Sequence, residues 1–349
     1  MPLYQQIVQD IAARIECGEW QAGDKLPSER DLCKAYGVSQ ITVRRALREL
    51  ATLGRVFSRH GLGWFIDDRS LMPVGPAEVL MLLPNLCWPL NRLATDILQR
   101  LRQAGKAVRL IFEAADSDAA TEILHIAARE NVRVALVAIA GREQALRARY
   151  AQMDADLSLL FLLRAIPRVS IPAAVLDERG AMRTMTQHLL GLGHRRIAYV
   201  GGDPVTIEGW ERYQGFRDAL WSQGLELPLD WAFAESPTQG AEAKRFKAML
   251  SSPLRPTAIA CTSDDRAAEV LQALHEAGYR CPKDVAVVGL GDSDLAGRLW
   301  PPLTTFHFDL DALAQAVSEM TCDLTAGRPV KSACALGNVV IRQSCGAAR

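Results

Sequence analysis

No run of this sequence is long enough to span a bilayer. Its longest apolar stretches, such as Val79–Pro84 and Val134–Ala140, fall well short of the ~18 residues a membrane helix requires. Polar Gln5, Gln6, Gln9 and Asp10 interrupt any apolar core behind Met1-Pro2-Leu3-Tyr4, so an export signal is not expected. None of the cysteines at 17, 33, 87, 261, 281, 322, 334 and 345 lies close enough to another to form a zinc ribbon or a Cys-x-x-Cys redox pair. Scattered thiols of this kind read as reduced and mostly buried, and the expected location is the cytoplasm. The histidines at 60, 125, 188, 194, 275 and 307 offer no ligand pair at helical spacing. Gly191-Leu192-Gly193 and Gly289-Leu290-Gly291 lack the third glycine of a dinucleotide loop. A phosphate-binding Gly-x4-Gly-Lys-Ser/Thr, a Gly-x-Ser-x-Gly elbow and a His-Glu-x-x-His pair are also missing. No catalytic residue, metal or cofactor is expected, and the chain does not read as an enzyme. Charge of one sign is missing too: 40 Lys+Arg balance 40 Asp+Glu. That balance excludes a uniformly basic coat protein and an acidic tail, but a local patch survives such averaging.

What is present suits a packed chain of two or three domains: 349 residues, 49% apolar and 23% charged. Ile7, Ile11 and Ile15 recur on one face of a helix beginning near Leu3, with Val8 beside them. Gly18 and Gly23 end it. Ser28 then caps a short second helix that stops at Gly37, and Ser39 caps a third with Val43, Leu47 and Leu50 as its buried stripe. Gly54 stands where a residue just past a helix end is expected. Two helices around a tight glycine turn form a helix-turn-helix. The outward face of the third helix carries Gln40, Ile41, Arg44, Arg45 and Arg48. Between residues 30 and 60, seven basic side chains face two acids, an excess of five positive charges within a neutral chain. Phosphates call for such a patch, because released counterions supply sequence-independent affinity. Base edges call for bidentate groups near a helix N-terminus, which Gln40 and Arg44 provide. Val56–Ile66 reads as two strands around a glycine turn, a wing. Single exposed arginines are commonly only solvated charge; the patch together with turn, caps and wing is not.

The stretch Pro2-Leu3-Tyr4, Leu26-Pro27-Ser28-Glu29-Arg30, Gly37-Val38-Ser39, Thr42-Val43-Arg44-Arg45-Ala46-Leu47 and Gly61-Leu62-Gly63 resembles the GntR-type winged helix-turn-helix. The resemblance implies that Arg30, Ser39, Gln40, Thr42, Arg44, His60 and Gly61 touch double-stranded operator DNA, with Arg45 and Arg48 in the same basic face. Two departures stand out. Many relatives carry arginine in place of Gln40, and Trp64 replaces a small or hydroxyl residue after the wing glycines.

Residues 67–77, broken by Pro73, Gly75 and Pro76, read as a linker. Beyond it the pattern alternates strand and helix: strands Val79–Leu83, Val108–Phe112 and Val132–Ile139, with helices Leu90–Gln103 and Ala119–Glu130. A second series has a helix from near Arg179 to Gly191, strand Ile197–Gly201, helix Gly209–Gln223, strand Thr257–Thr262, helix Asp264–Ala277 and strand Val285–Gly289. Short continuous apolar runs between helices imply an α/β body of two lobes, each a doubly wound parallel sheet. The expected division is 1–66 for DNA binding, 67–77 for linking and 78–349 for effector binding and dimerisation.

The segments 188–198, 212–220, 256–259, 282–289 and 301–305 resemble the LacI-type effector domain, built like the periplasmic sugar-binding proteins. Together with the head, this resembles an arabinose-repressor type of architecture. The resemblance implies a small-molecule ligand between the lobes, lobe closure and a homodimer. It places Arg212 in the cleft, where a guanidinium fork grips hydroxyls or a carboxylate. At two other positions the sequence departs. Relatives read Gly-Phe/Tyr-Asp-Asp where this chain has Gly289-Leu290-Gly291-Asp292, and Asn-Asp where it has Ser263-Asp264. Losing a carboxylate and an amide removes hydrogen-bonding sites for an ordinary sugar, so phosphorylated, acidic or more apolar effectors stay open. Trp88 or Trp210 would serve as a stacking wall, although tryptophans are more often packing residues. The expected function is a ligand-responsive, DNA-binding repressor acting as a homodimer without membrane contact. The alternative is a small-molecule sensor with a protein partner and a vestigial head.

Overall fold

The protein's structure is a computed structural model, described here for all residues except 1–3, 5–6, 9, 12–13, 15–18, 21–23, 53–55, 60–62, 67–77, 86–87, 131, 151–156, 203–204, 235, 239 and 348–349. Ile15, Gly18, Gly23, Gly54, His60, Gly61 and the linker 67–77 lie outside the described residues, as do the side chains of Ile41 and Arg48. The chain forms two compact units, Met1–Gly75 and Pro76–Arg349.

Local signals set the helices of the first unit. Ser28 Oγ accepts from the Asp31 amide and opens the helix Glu29–Tyr36. Gly37 ends it with φ 65°, a left-handed conformation that only glycine adopts without strain. Ser39 Oγ accepts from the Thr42 amide and starts the recognition helix Gln40–Thr52. Ile7, Val8, Ile11, Leu32, Val43, Leu47 and Leu50 all bury in one small core. The wing strands β1 (Val56–Arg59) and β2 (Gly63–Ile66) pair antiparallel, Val56 opposite Ile66. Lys25 bridges to Phe65, and the Leu26 amide donates to the Trp64 carbonyl, so the segment before the first of these helices lies along the wing.

In the second unit, six parallel strands form one lobe in the order β13-β7-β6-β5-β3-β4. These are β3 (Val79–Leu83), β4 (Val108–Phe112), β5 (Val134–Ala138), β6 (Ser158–Leu163), β7 (Ala173–Leu176) and β13 (Ala333–Ala335). The other lobe holds β8 (Ile197–Val200), β9 (Ala232–Phe233), β10 (Ala258–Cys261) and β11 (Ala286–Val288), parallel in the order β11-β10-β8-β9. Helices cover both faces of each sheet, so β3, β5, β8, β10 and β11 are buried along their whole length, as their unbroken apolar sequences require.

The chain passes between the lobes three times. It leaves β7 for the helix Glu178–Gly191, leaves β12 (Thr305–Phe308) for the helix Leu310–Thr325, and returns from β13 into β14 (Gly337–Val340). β12 and β14 pair antiparallel, so two of the crossings run side by side. The strand–helix alternation follows the sequence pattern, with ends shifted: the helix expected from Gly209 to Gln223 runs Ile207–Trp221, because Thr206 caps it through the Gly209 amide. The helices Glu143–Tyr150, Gly240–Ser251 and Leu310–Thr325, and strands β6, β7, β9 and β12–β14, add to the sequence reading. Among the described residues, no helix is long and apolar enough to cross a membrane.

Candidate nucleic-acid interface and effector cleft

The recognition helix buries Val43, Ala46, Leu47 and Leu50 and leaves Gln40, Arg44 and Arg45 exposed, with Ser39 exposed just ahead of it. Arg30 is exposed on the preceding helix and Thr42 is half-buried. Ser39 and Thr42 join their hydroxyls at 2.9 Å. Arg45 lies over the Tyr4 ring, 4.0 Å from its centroid, a cation–π contact that holds the guanidinium against the first helix. Arg44 Nε donates to Glu29 Oε2 at 2.8 Å, and Gln40 Nε2 donates to the same oxygen at 3.0 Å. Trp64 Nε1 approaches Glu29 Oε1 at 3.4 Å. Partial burial acts to raise the Glu29 carboxyl, but the donors Arg44, Gln40 and Trp64 outweigh it and hold the group below its ordinary range. Glu29 is the residue the sequence reading passed over; only folding brings the wing indole to it.

In the body, Trp88, Ser263, Asp264, Gly291 and Asp292 fall into one neighbourhood, and Arg212 belongs to a second network. Gly291 has φ 135°, and a Cβ built on it would lie 2.7 Å from Trp88 Cη2 and Cζ3. The indole therefore fills the space that a side chain at 291 would need. Asp292 turns elsewhere: Oδ1 accepts from Arg342 Nη2 at 2.6 Å and Oδ2 meets His307 Nδ1 at 3.1 Å. Asp264 is buried and accepts twice at 2.6 Å, from the Thr305 hydroxyl and from the Ser293 amide. Burial pushes its carboxyl above the ordinary range, against the pull of those two donors. Thr305 also accepts from the Asp292 amide at 3.3 Å, tying the two strand ends together. Ser263 spends its hydroxyl as the cap of the helix Asp264–Glu276, accepting from the Arg266 amide.

Arg212 does not stand free. Its Nε and Nη2 meet Glu178 Oε2 and Oε1 at 2.6 and 3.0 Å, a closed two-point pair. Arg164 Nη2 adds a third contact to Glu178 at 3.1 Å, and its Nε lies 3.6 Å from Glu208. Glu178 is 3% exposed at the crossing from β7 into its helix. Burial alone would raise its carboxyl, yet Arg212 and Arg164 overcome that penalty and bring it below its ordinary value. A cavity of about 310 Å³ opens beside this network, lined in part by Arg164, Val175, Glu178, Ile207 and Glu208. Among the described residues the buried Tyr199 hydroxyl has no hydrogen-bond partner, and it packs against Gly201. Trp210 is half exposed on the helix Ile207–Trp221. Glu178, Arg164, Arg342 and His307 had no sequence signal, because each is distant in the chain from the residue it holds; Thr305 lay in a segment that carried the resemblance, but its bond to Asp264 did not show there.

Residues 3–66 match the gntR family of bacterial regulatory proteins, and residues 186–345 match the periplasmic binding protein-like domain. The chain is a transcriptional regulator that joins a gntR-family head to a periplasmic binding protein-like domain. Such family members are regulators of transcription, not enzymes. The regulator is 25% identical over 358 residues to the arabinose metabolism transcriptional repressor of Geobacillus stearothermophilus, an alignment covering 98% of this chain and 95% of that one. It is 35% identical over 130 residues to the ribose operon repressor of Escherichia coli (strain K12), covering 37% of this chain and 39% of that repressor. Its fold resembles the transcriptional regulator CelR in complex with cellobiose, with TM-score 0.66 and 22% identity over 88% of this chain and 91% of that one.

Proposed function

We propose that this regulator is a repressor that binds operator DNA as a homodimer in the cytoplasm and that a neutral sugar or sugar derivative between the lobes alters its affinity. In this reading, residues 1–66 read DNA, 67–77 link and 78–349 sense and dimerise. The supporting observation for the head is the recognition helix, which keeps its apolar stripe buried and presents Gln40 and Arg44 outward on a basic surface. Arg30, Ser39, Thr42, Arg45, Arg48 and the wing-tip residues His60 and Gly61 complete the contact set, phosphates positioning the head and base edges specifying the site. A regulator of this kind shifts a gel of the DNA upstream of its own gene, and the shift weakens steeply with salt. Absence of any salt-sensitive band on candidate palindromes would overturn the DNA reading. Arg44→Ala is expected to cost roughly 1–3 kcal/mol, concentrated at one base position of each half-site.

For the effector, the supporting observation is that the charged side chains named in the cleft already have partners: Arg212 with Glu178, Asp292 with Arg342, and Asp264 with Thr305 and Ser293. An anionic effector would have to displace a buried carboxylate from Arg212, at the cost of leaving a charge unpaired. The Trp88 ring over Gly291 offers instead an apolar wall for the C–H face of a sugar ring. Thermal-shift titration with neutral sugars, sugar phosphates and sugar acids discriminates these classes, because binding to the native state raises its melting temperature. Stabilisation by a sugar acid or phosphate, with none from any neutral sugar, would overturn this effector assignment.

A further inference from the structure

We propose that Glu29 and Trp64 are positioning residues that set the sequence specificity of the head, by holding Gln40 and Arg44 as one unit. This rests on the reading of Gln40 and Arg44 as base-contacting side chains. One carboxylate collects donors from two other elements: Gln40 and Arg44 from the recognition helix on Oε2, and Trp64 from wing strand β2 on Oε1. Glu29 itself opens the helix Glu29–Tyr36, so three separate pieces of the head meet at one side chain. Its own exposure is 22%, while Arg44 is 55% exposed; the anchor is sheltered and the reading group is not.

The geometry decides which atoms remain for DNA. Arg44 spends Nε on Glu29, which leaves its two terminal nitrogens as the fork that fits the O6 and N7 of a guanine. Gln40 spends a donor on a group that can only accept, so its amide is oriented and its carbonyl oxygen remains as an acceptor. That acceptor suits the exocyclic amine of adenine or cytosine in the major groove. Two long side chains that would otherwise sample many rotamers are held in one arrangement, and less conformational freedom is lost on binding. Trp64, which replaces a small residue after the wing glycines, closes the unit from the other side. Its carbonyl accepts from the Leu26 amide at 2.8 Å, which anchors the backbone from which the indole reaches Glu29.

The test is a competition gel shift of the full chain on its operator and on a panel with each half-site base pair substituted, at several salt concentrations. Arg44→Ala and Gln40→Ala identify the base pairs those residues read. Glu29→Gln and Trp64→Phe are then expected to lower discrimination at those same base pairs by about tenfold. The salt dependence should stay that of the parent, because no phosphate contact is removed. Trp64→Phe keeps the ring that packs on the small core, and melting of each variant checks that the head is folded. If Arg44→Ala and Gln40→Ala alter discrimination but Glu29→Gln and Trp64→Phe do not, or weaken all sequences equally, the clamp is overturned. If Arg44→Ala and Gln40→Ala leave discrimination unchanged, the base-reading roles fall and the clamp with them.

Discussion

Glu178→Ala is expected to lower the stability of the body by about 3–5 kcal/mol, the effect of breaking a buried ion pair and leaving its partner uncompensated. Glu178 accepts from Arg212 twice and from Arg164 once, and the three side chains are 3%, 16% and 11% exposed. Removing the carboxylate takes both hydrogen bonds from Arg212 where water reaches it poorly, and leaves Arg164 with only the Ile139 carbonyl and the more distant Glu208. For a unit of this size each kcal/mol moves the melting temperature by about 2 °C, so a fall of roughly 6–10 °C is expected in circular dichroism melts at neutral pH. A fall below about 2 °C would show that the network is not needed for folding.

The pH dependence follows from the sign of the shift. Glu178 is held below its ordinary value in the folded protein, so its contribution is fully present above the unfolded value of about 4.3 and is lost as pH falls through the lower, folded value. The melting temperatures of the parent and Glu178→Ala should therefore converge in acid.

The second large effect is expected at Gly291. Restoring the aspartate of related effector domains, Gly291→Asp, should cost about 2–4 kcal/mol, from overpacking against Trp88 and from a positive φ that aspartate tolerates poorly. The new Cβ would meet the indole at 2.7 Å with φ at 135°. Trp88→Ala removes the collision but not the backbone strain, so the Gly291→Asp substitution should cost about 1–2 kcal/mol less when Trp88 is already alanine. Urea unfolding of the four proteins of this cycle measures the difference. Strict additivity would mean that the indole and the glycine do not share the space as described. The cycle also bears on the effector: the double variant replaces an aromatic wall with a carboxylate and should favour more heavily hydroxylated ligands.

Much of the head was legible before any coordinates. Ser28 and Ser39 accept from amides three residues on, Gly37 donates its own amide to the Cys33 carbonyl, and the stripe Val43, Leu47 and Leu50 repeats with the helix period. The buried strands of the body were legible for a similar reason, since a strand covered on both faces must be apolar throughout. The helix Leu310–Thr325 was not read from the sequence, although its cap Asp309 and its buried face of Leu310, Leu313, Ala314 and Val317 are local features of the same kind. The expected cleft role of Arg212 was only half legible. A guanidinium on that helix could be read from the sequence, but not the Glu178 carboxylate that closes its fork.

The sequence by itself determined many of the elements, the basic face of the recognition helix and the two-part organisation, because periodicity, capping and charge act over a few residues. Tertiary structure alone decided the partners. Glu178 with Arg212, Asp292 with Arg342, Trp88 over Gly291 and Glu29 with Trp64 join residues from different elements. Within the body, such pairings depend on where the chain crosses between lobes; in the head, on how the wing folds back. A contact between distant residues is set by the packing of whole elements, and spacing along the chain carries no record of it.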